Sequence, residues 1–348
     1  MGIVRCLTIG DPHFKSNNIK ECKTLIDRVC TIIDQLEKHD LKLDFIVCLG
    51  DLLNDHNKYE EASFNEAIRF MSELSKRYMT FLLVGNHDYR CNNQFLTDKH
   101  PYNALKKWGD MMIVVDSIKV YNIDDYEFIF APYVPKGRFL EALNLYDMWD
   151  TADCIFAHQE FRGVQMGAMI SNDGDEWDED YPIVISGHVH TSQCIQNNIY
   201  YPGTPVQHSF SDTQNKRIWL CTFDNSQEKI FSYQKINLKL QQKRIVYLQP
   251  HELESFVPNE NEQTKISIKC NDLQFKTLLK NPLYVKLTNT PNIKIVHTKE
   301  CKIDVDIELF RKKKCTFHDN SYVSVLQKLV NDENNKYVTD VYKMLSKN

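Results

Sequence analysis

Apolar and polar positions along the first ninety residues alternate between two periods. Residues 3–9 form a short apolar run that predicts a strand. Leu25, Val29, Ile32, Ile33 and Leu36 then recur at helical spacing, and residues 45–49 return to a continuous apolar run. Phe64, Ile68, Met71 and Leu74 predict a second helix, and residues 81–84 a third strand. This β-α-β-α-β order implies a layered α/β sheet. Later runs are denser in strands, at 128–131, 154–157, 183–186 and 218–223.

Beyond residue 224 the pattern changes. Residues 235–262 are polar and irregular, which predicts a linker. A small β-α-β unit is expected next. It has a strand around Ile266 and Ile268, a short helix over 273–279, and strands at 284–287 and 293–296. The end of the chain predicts a helical hairpin. Tyr322, Val325, Leu326 and Leu329 share one helical face, and Val338, Val341, Tyr342 and Leu345 share another. The expected division is 1–234, 235–317 and 318–348.

Composition supports a folded chain. Of 348 residues, 42% are hydrophobic and 26% charged, enough for a sizeable core and too apolar for wholesale disorder. No apolar run approaches the ~20 residues of a membrane helix. The N-terminus lacks a signal-peptide pattern. Eleven scattered cysteines include no C-x-x-C pair, so a zinc ribbon is not expected. These features predict an intracellular protein, cytoplasmic or nucleoid-associated, with reduced thiols. The net charge of −5 argues at first against a nucleic-acid partner. It is a sum over unlike parts, however. Residues 1–224 carry 21 Lys+Arg and 33 Asp+Glu, a net of −12, whereas 225–348 carry a net of +7.

Five polar motifs directly follow strand candidates: Gly10-Asp11-Pro12-His13, Gly50-Asp51, Gly85-Asn86-His87-Asp88, Ala157-His158 and Gly187-His188-Val189-His190. In layered α/β sheets, ligands bind beyond the carboxyl ends of strands, so all five can meet at one edge. Carboxylate, amide oxygen and imidazole are the donors expected for Mn, Fe or Zn at mixed N/O sites. Two such ions ~3.5–4 Å apart clamp a phosphate and lower the pKa of a bridging water. On this reading Asp51 bridges the ions. Asp11, His13 and His190 complete one, and Asn86, His158 and His188 the other. His87 is left as a non-ligand imidazole able to protonate a leaving oxygen. Asp88 is expected to orient that ring by accepting its other N–H.

Together these motifs resemble the calcineurin-like metallophosphoesterase superfamily. The stretch Tyr201-Pro202-Gly203-Thr204-Pro205, continuing to Phe210, narrows the resemblance. It is similar to SbcD, the nuclease subunit of the bacterial SbcCD complex, and to recombination endonuclease subunits of large phages. The resemblance implies an α/β fold: a layered β-sandwich flanked by helices, with a small α+β capping domain and C-terminal helices. It further implies two Mn²⁺ ions, 3′→5′ exonuclease and endonuclease action on DNA ends and hairpins, and a homodimer. The implied partner is an SbcC-like, SMC-type coiled-coil ATPase docked on residues 321–348. Within the superfamily, Ser/Thr phosphatases typically show Asp-Arg-Gly after the bridging carboxylate and Gly-Asn-His-Glu. This chain has Leu52-Leu53-Asn54 and Gly85-Asn86-His87-Asp88, against that branch. Two alternatives remain: a phosphodiesterase for small nucleotides or phosphoproteins, and an inactive regulatory scaffold for the ATPase.

Two charge clusters stand apart. Residues 173–180 hold six acids in eight positions and read as a solvated loop. Arg311-Lys312-Lys313-Lys314 reads equally as a solvated face or a phosphate contact.

Overall fold

The computed structural model describes residues 2–56, 59–227 and 230–299. The Arg311–Lys314 cluster and the predicted C-terminal hairpin lie outside the described residues. Residues 1–298 form one compact unit. In chain order its elements begin with β1 (Ile3–Ile9), α1 (Ile19–Lys38), β2 (Phe45–Cys48), α2 (Glu61–Ser75), β3 (Met79–Leu83) and β4 (Met112–Val115). There follow β5 (Lys119–Ile123), β6 (Tyr126–Phe130), α3 (Phe139–Leu143), β7 (Cys154–Ala157), the hairpin β8 (Gln165–Met166) and β9 (Met169–Ile170), and β10 (Ile183–Ser186). Next come β11 (Gln193–Ile195), β12 (Ile199–Tyr201), β13 (Ile218–Asp224) and β14 (Phe231–Ile236). Last are β15 (Gln242–Leu248), β16 (Glu262–Cys270), α4 (Asp272–Leu278), α5 (Pro282–Thr288) and β17 (Ile293–Lys299).

Two six-stranded sheets carry the fold, ordered β14-β13-β1-β2-β3-β4 and β11-β12-β10-β7-β6-β5. Their facing sides make one core of Val4, Cys6, Phe45, Val47, Phe81, Phe128, Phe130, Phe156, Trp219 and Phe223. The alternate residues face outward, as the two-residue period of a strand requires. Leu7, Ile9, Ile46, Cys48 and Leu82 meet the apolar faces of α1 and α2. Ile129, Ile155 and Val184 meet α3 and the Trp149–Trp177 region. Because both faces of the central strands are covered, they read as continuous apolar runs rather than alternating ones. Phe81 and Phe130 stack across the sandwich with centroids 3.7 Å apart and planes 6° apart. The mixed α/β layered fold is therefore as expected from sequence.

Strands β1, β2, β3 and β4 run parallel, as do β6, β7 and β10. The C-terminal ends of β1, β2, β3, β7 and β10 precede the five motifs.

Two expectations fail in residues 235–299. The predicted linker contains β15, which pairs with β16 in parallel from Gln242↔Glu262 to Leu248↔Ile268. Its short apolar run Ile245-Val246-Tyr247-Leu248 follows the polar Gln241-Gln242-Lys243-Arg244 stretch, which masks it in the sequence, and it forms an edge strand of a three-stranded sheet. The predicted strand at 284–287 is instead helix α5. Asn281 accepts from the backbone N–H of Leu283 and Pro282 occupies the first turn, both helix-start signals. Leu253, Ile266, Ile268, Cys270, Leu278 and Leu287 give this segment its own core. It is tied to the sandwich through Lys243, whose Nζ reaches Glu21 at 2.9 Å and the Gln207 carbonyl at 2.8 Å.

Candidate metal centre

Every predicted ligand sits in a loop directly after a strand, and three of them occupy the left-handed backbone region. His13 has φ 45°, Asp51 φ 47° and His188 φ 74°. Such conformations cost a non-glycine residue roughly 1–3 kcal/mol and concentrate at functional sites. Two glycines make room for the carboxylates. A Cβ on Gly85 would lie 2.2 Å from Asp51 Oδ1, and one on Gly187 would lie 2.5 Å from Asp11 Oδ1. The Gly-Asn-His-Asp and Gly-His-x-His spacings thus follow from close approach.

The structure brings Asp11, His13, Asp51, Asn86, His158, His188 and His190 together in two adjoining groups. Donor atoms of Asp11, His13 and His190 lie within 4.8 Å of one another, as do those of Asp51, His158 and His188. In the first group, His13 Nε2 is 3.1 Å from His190 Nε2 and 3.6 Å from Asp51 Oδ2. In the second, Asn86 Oδ1 lies 3.1 Å from His158 Nε2 and 2.8 Å from His188 Nδ1. His158 Nε2 is 3.4 Å from Asp51 Oδ1, so Asp51 faces both groups.

The electrostatics fit cations. Burial pushes Asp11 up to about 7, with the Asp51 charge adding to it. Burial opposes a charge on His158, but Asp51 and Asp11 outweigh it and raise its pKa to about 9. The same imidazoles hold Asp51 well below the usual carboxylate range despite burial. Burial lowers His13 and His190, leaving neutral rings with a lone pair to give. Asp11 Oδ2 is buried and has no hydrogen-bond partner among the described residues. An orphaned carboxylate oxygen, and two neutral imidazole nitrogens aimed at one another, are both satisfied by a shared divalent cation. The residues therefore fit two such ions. Asp11, His13 and His190 would hold one, Asn86, His158 and His188 the other, and Asp51 would bridge.

His87 and Asp88 differ from expectation in one respect. His87 lies beside the first group, its ring centroid 5.0 Å from that of His13, and its backbone N–H donates to Asp51 Oδ1 at 2.8 Å. Its Nδ1–H donates to the Asn54 carbonyl at 2.7 Å, not to Asp88. Asp88 is turned away and fully buried. It accepts from the backbone N–H of Leu53 at 3.1 Å and Gly85 at 2.9 Å, and from the Tyr102 hydroxyl at 2.5 Å. It binds the two metal loops together and does not orient the His87 ring. Unpaired loop N–H groups claimed its oxygens, and a backbone carbonyl served the imidazole.

Three residues near the centre escaped the sequence reading. His208 lies in the block after Tyr201. Its Nε2 is 3.2 Å from the Asp11 carbonyl and its ring packs edge-on against His13 at 4.8 Å. Standing alone three residues after Pro205, it gave no signal. His56 stacks on His87 with centroids 4.5 Å apart. Glu160, two residues after His158, reaches His188 Nε2 at 3.4 Å. The acidic run is less solvated than expected, because Asp175 and Trp177 within it are buried.

The sequence profile of the calcineurin-like phosphoesterase family matches residues 4–218. Protein 244L of Invertebrate iridescent virus 6, named as a phosphoesterase, is 40% identical over 283 residues, covering 80% of this chain and 98% of that protein. Protein 078R of Invertebrate iridescent virus 3, also named as a phosphoesterase, is 42% identical over 248 residues, covering 70% of this chain and 69% of that one. Among solved structures, an archaeal phosphodiesterase aligns with 12% identity and a TM-score of 0.35, over 67% of this chain and 100% of its own. With the matching profile, the two viral relatives and this arrangement of donors, the chain belongs to the calcineurin-like phosphoesterase family, and its donors fit a metal-dependent phosphoesterase.

Proposed function

We propose that the protein is a two-metal DNA nuclease, with Mn²⁺ as its working ion. The observation that carries this reading is where the centre lies. His188 and His190 line an open cleft of about 580 Å³, shared with Gln165–Gly167 of the β8–β9 hairpin, with Ser211, Asp212 and Thr213, and with Lys216. An open cleft with hydroxyl, amide and ammonium donors suits a chain of phosphates that passes the centre rather than a small molecule that it encloses. The resemblance of residues 201–210 to SbcD-type subunits supports the same substrate.

Bound divalent ions supply charge neutralisation at the phosphate and an activated water. The side chains do the rest. Asp51, which faces both donor groups, would help to hold the two ions. His87 keeps Nδ1–H on the Asn54 carbonyl, so Nε2 is the nitrogen that can deliver a proton to the departing sugar oxygen. The segment over 235–317 is proposed to bind duplex, consistent with the positive balance of the chain beyond residue 224. Residues 321–348 are proposed to dock on an SbcC-like SMC-type ATPase, with the protein acting as a homodimer in DNA recombination, repair or replication.

Cleavage of blunt and hairpin duplexes, measured beside bis-p-nitrophenyl phosphate with and without Mn²⁺ and the ATPase, tests the proposal. DNA cleavage that needs metal is expected. Hydrolysis of the small diester with intact DNA would assign the site to small phosphodiesters. Deleting residues 321–348 should abolish ATPase association and spare cleavage of short substrates.

A further inference from the structure

We infer that Glu160 is a positioning residue for the second cation site, fixing the His188 ring so that Nδ1 is the ligand nitrogen. The inference rests on the two-metal reading and adds a residue that none of the five motifs contains. Glu160 is 5% exposed, and its Oε2 lies 3.4 Å from His188 Nε2. An ionised carboxylate can only accept, so Nε2 carries the proton. In a neutral ring the lone pair is then on Nδ1, 2.8 Å from Asn86 Oδ1. Asn86 Oδ1 already accepts from His158 Nε2 at 3.1 Å. The two acceptor atoms, His188 Nδ1 and Asn86 Oδ1, therefore converge on the place a cation would fill. A ligating histidine whose other N–H meets a carboxylate is held in both tautomer and orientation.

The carboxylate is itself locked. Ser171 Oγ donates to Glu160 Oε1 at 2.5 Å, and Lys136 Nζ reaches the same oxygen at 2.9 Å. Lys136 continues to Asp173 at 3.1 Å, and the Gly174 N–H donates to Ser171 Oγ at 3.1 Å. The Asp175 N–H donates to the Glu160 carbonyl at 2.9 Å. The start of the acidic run is thus folded around Glu160, and its fixed geometry passes through that carboxylate to His188. This gives the run a use that a solvated loop would not have. The strained backbone of His188, at φ 74°, is consistent with a ring whose placement is imposed by its surroundings.

The full-length chain tests this through metal binding and tautomer. Calorimetric titration of the metal-free protein with Mn²⁺ should show two ions for the wild type. Glu160→Ala should weaken one of them on the order of 10–100-fold and leave the other near its wild-type affinity. Glu160→Gln, whose amide oxygen still accepts, should recover most of the loss. Nitrogen NMR of the wild type loaded with diamagnetic Zn²⁺, with the His188 signals assigned by their absence in His188→Gln, should find the ring protonated on Nε2. Glu160→Ala should populate the ring protonated on Nδ1. A wild-type ring protonated on Nδ1 overturns the inference even if Glu160→Ala fails to fold. Two ions bound by Glu160→Ala as tightly as by the wild type overturn it alone, whereas a wild type that binds a single ion overturns the two-metal reading and this inference with it.

Discussion

His158 donates its Nδ1–H to the Leu49 carbonyl at 2.6 Å, across 109 residues of sequence, and this leaves Nε2 as the nitrogen facing Asp51 and Asn86. The bond ties β7 to the loop after β2 and sets which end of the ring meets a cation. Without a cation, the proton on Nε2 does part of its work, because the buried Asp51 and Asp11 need a positive neighbour.

Metal binding should therefore displace protons. With His158 at about 9 and Asp11 at about 7, both groups hold protons near neutrality that a cation must remove. Affinity should rise with pH up to about 9, by roughly tenfold per unit for each proton released. Calorimetry in buffers of different ionisation enthalpy measures the number released, and a heat independent of buffer would count against this account.

His87→Asn should bind metal as the wild type does but turn over more slowly. Loss of a general acid costs on the order of 10²–10⁴ in rate. The loss should be larger for DNA, whose sugar alkoxide leaves poorly, than for bis-p-nitrophenyl phosphate, whose phenolate leaves without help. Equal losses on both substrates would remove the proton-delivery role and leave His87 as a substrate contact.

Asp88 should matter for stability before chemistry. Asp88→Ala would leave the Leu53 and Gly85 N–H groups and the Tyr102 hydroxyl buried and unpaired, at ~1–3 kcal/mol for each unsatisfied group. Tyr102→Phe removes one hydrogen bond to a charged acceptor, worth about 1.5–3 kcal/mol. Denaturant unfolding should rank Asp88→Ala well below Tyr102→Phe, and both below wild type. Comparable stability for Asp88→Ala would mean that water replaces the carboxylate.

Acid should weaken the short helical turn over Pro101–Lys107, which is tied to Asp116. Burial would raise this carboxyl, but hydrogen bonds from His100 at 3.1 Å and from Lys106 depress it to about 2. A depressed folded pKa means that its stabilisation is complete above the unfolded value of about 3.9 and is lost as pH falls toward 2. Asp116→Asn should be less stable than wild type at pH 7, and the gap should close between about pH 4 and pH 2. A gap that persists at pH 2 would point to packing rather than charge.

The sequence by itself determined the layered α/β architecture and the identity of the clustered donors. Strand runs and helix faces are local periodicities, and each donor sits one to four residues after a strand that the hydrophobic pattern already marks. Parallel strands deliver their carboxyl ends to one edge, so strand-end motifs meet without any knowledge of long-range contacts. The pattern failed where the local signal was weak or ambiguous. The short Ile245–Leu248 run of β15 is masked by the polar residues on either side of it, and the strand-favouring Tyr284 and Val285 outweighed the Asn281-Pro282 helix start in the reading of α5.

Only the tertiary structure decided the partners of the polar groups. That Asn54, not Asp88, holds the His87 ring, that Asp88 fastens two loops to Tyr102, and that Glu160 meets His188 are outcomes of competition among groups 14 to 35 residues apart. A carboxylate in a dry interior goes to whichever unpaired N–H or O–H the packing brings nearest, and that choice has no period in the sequence to betray it.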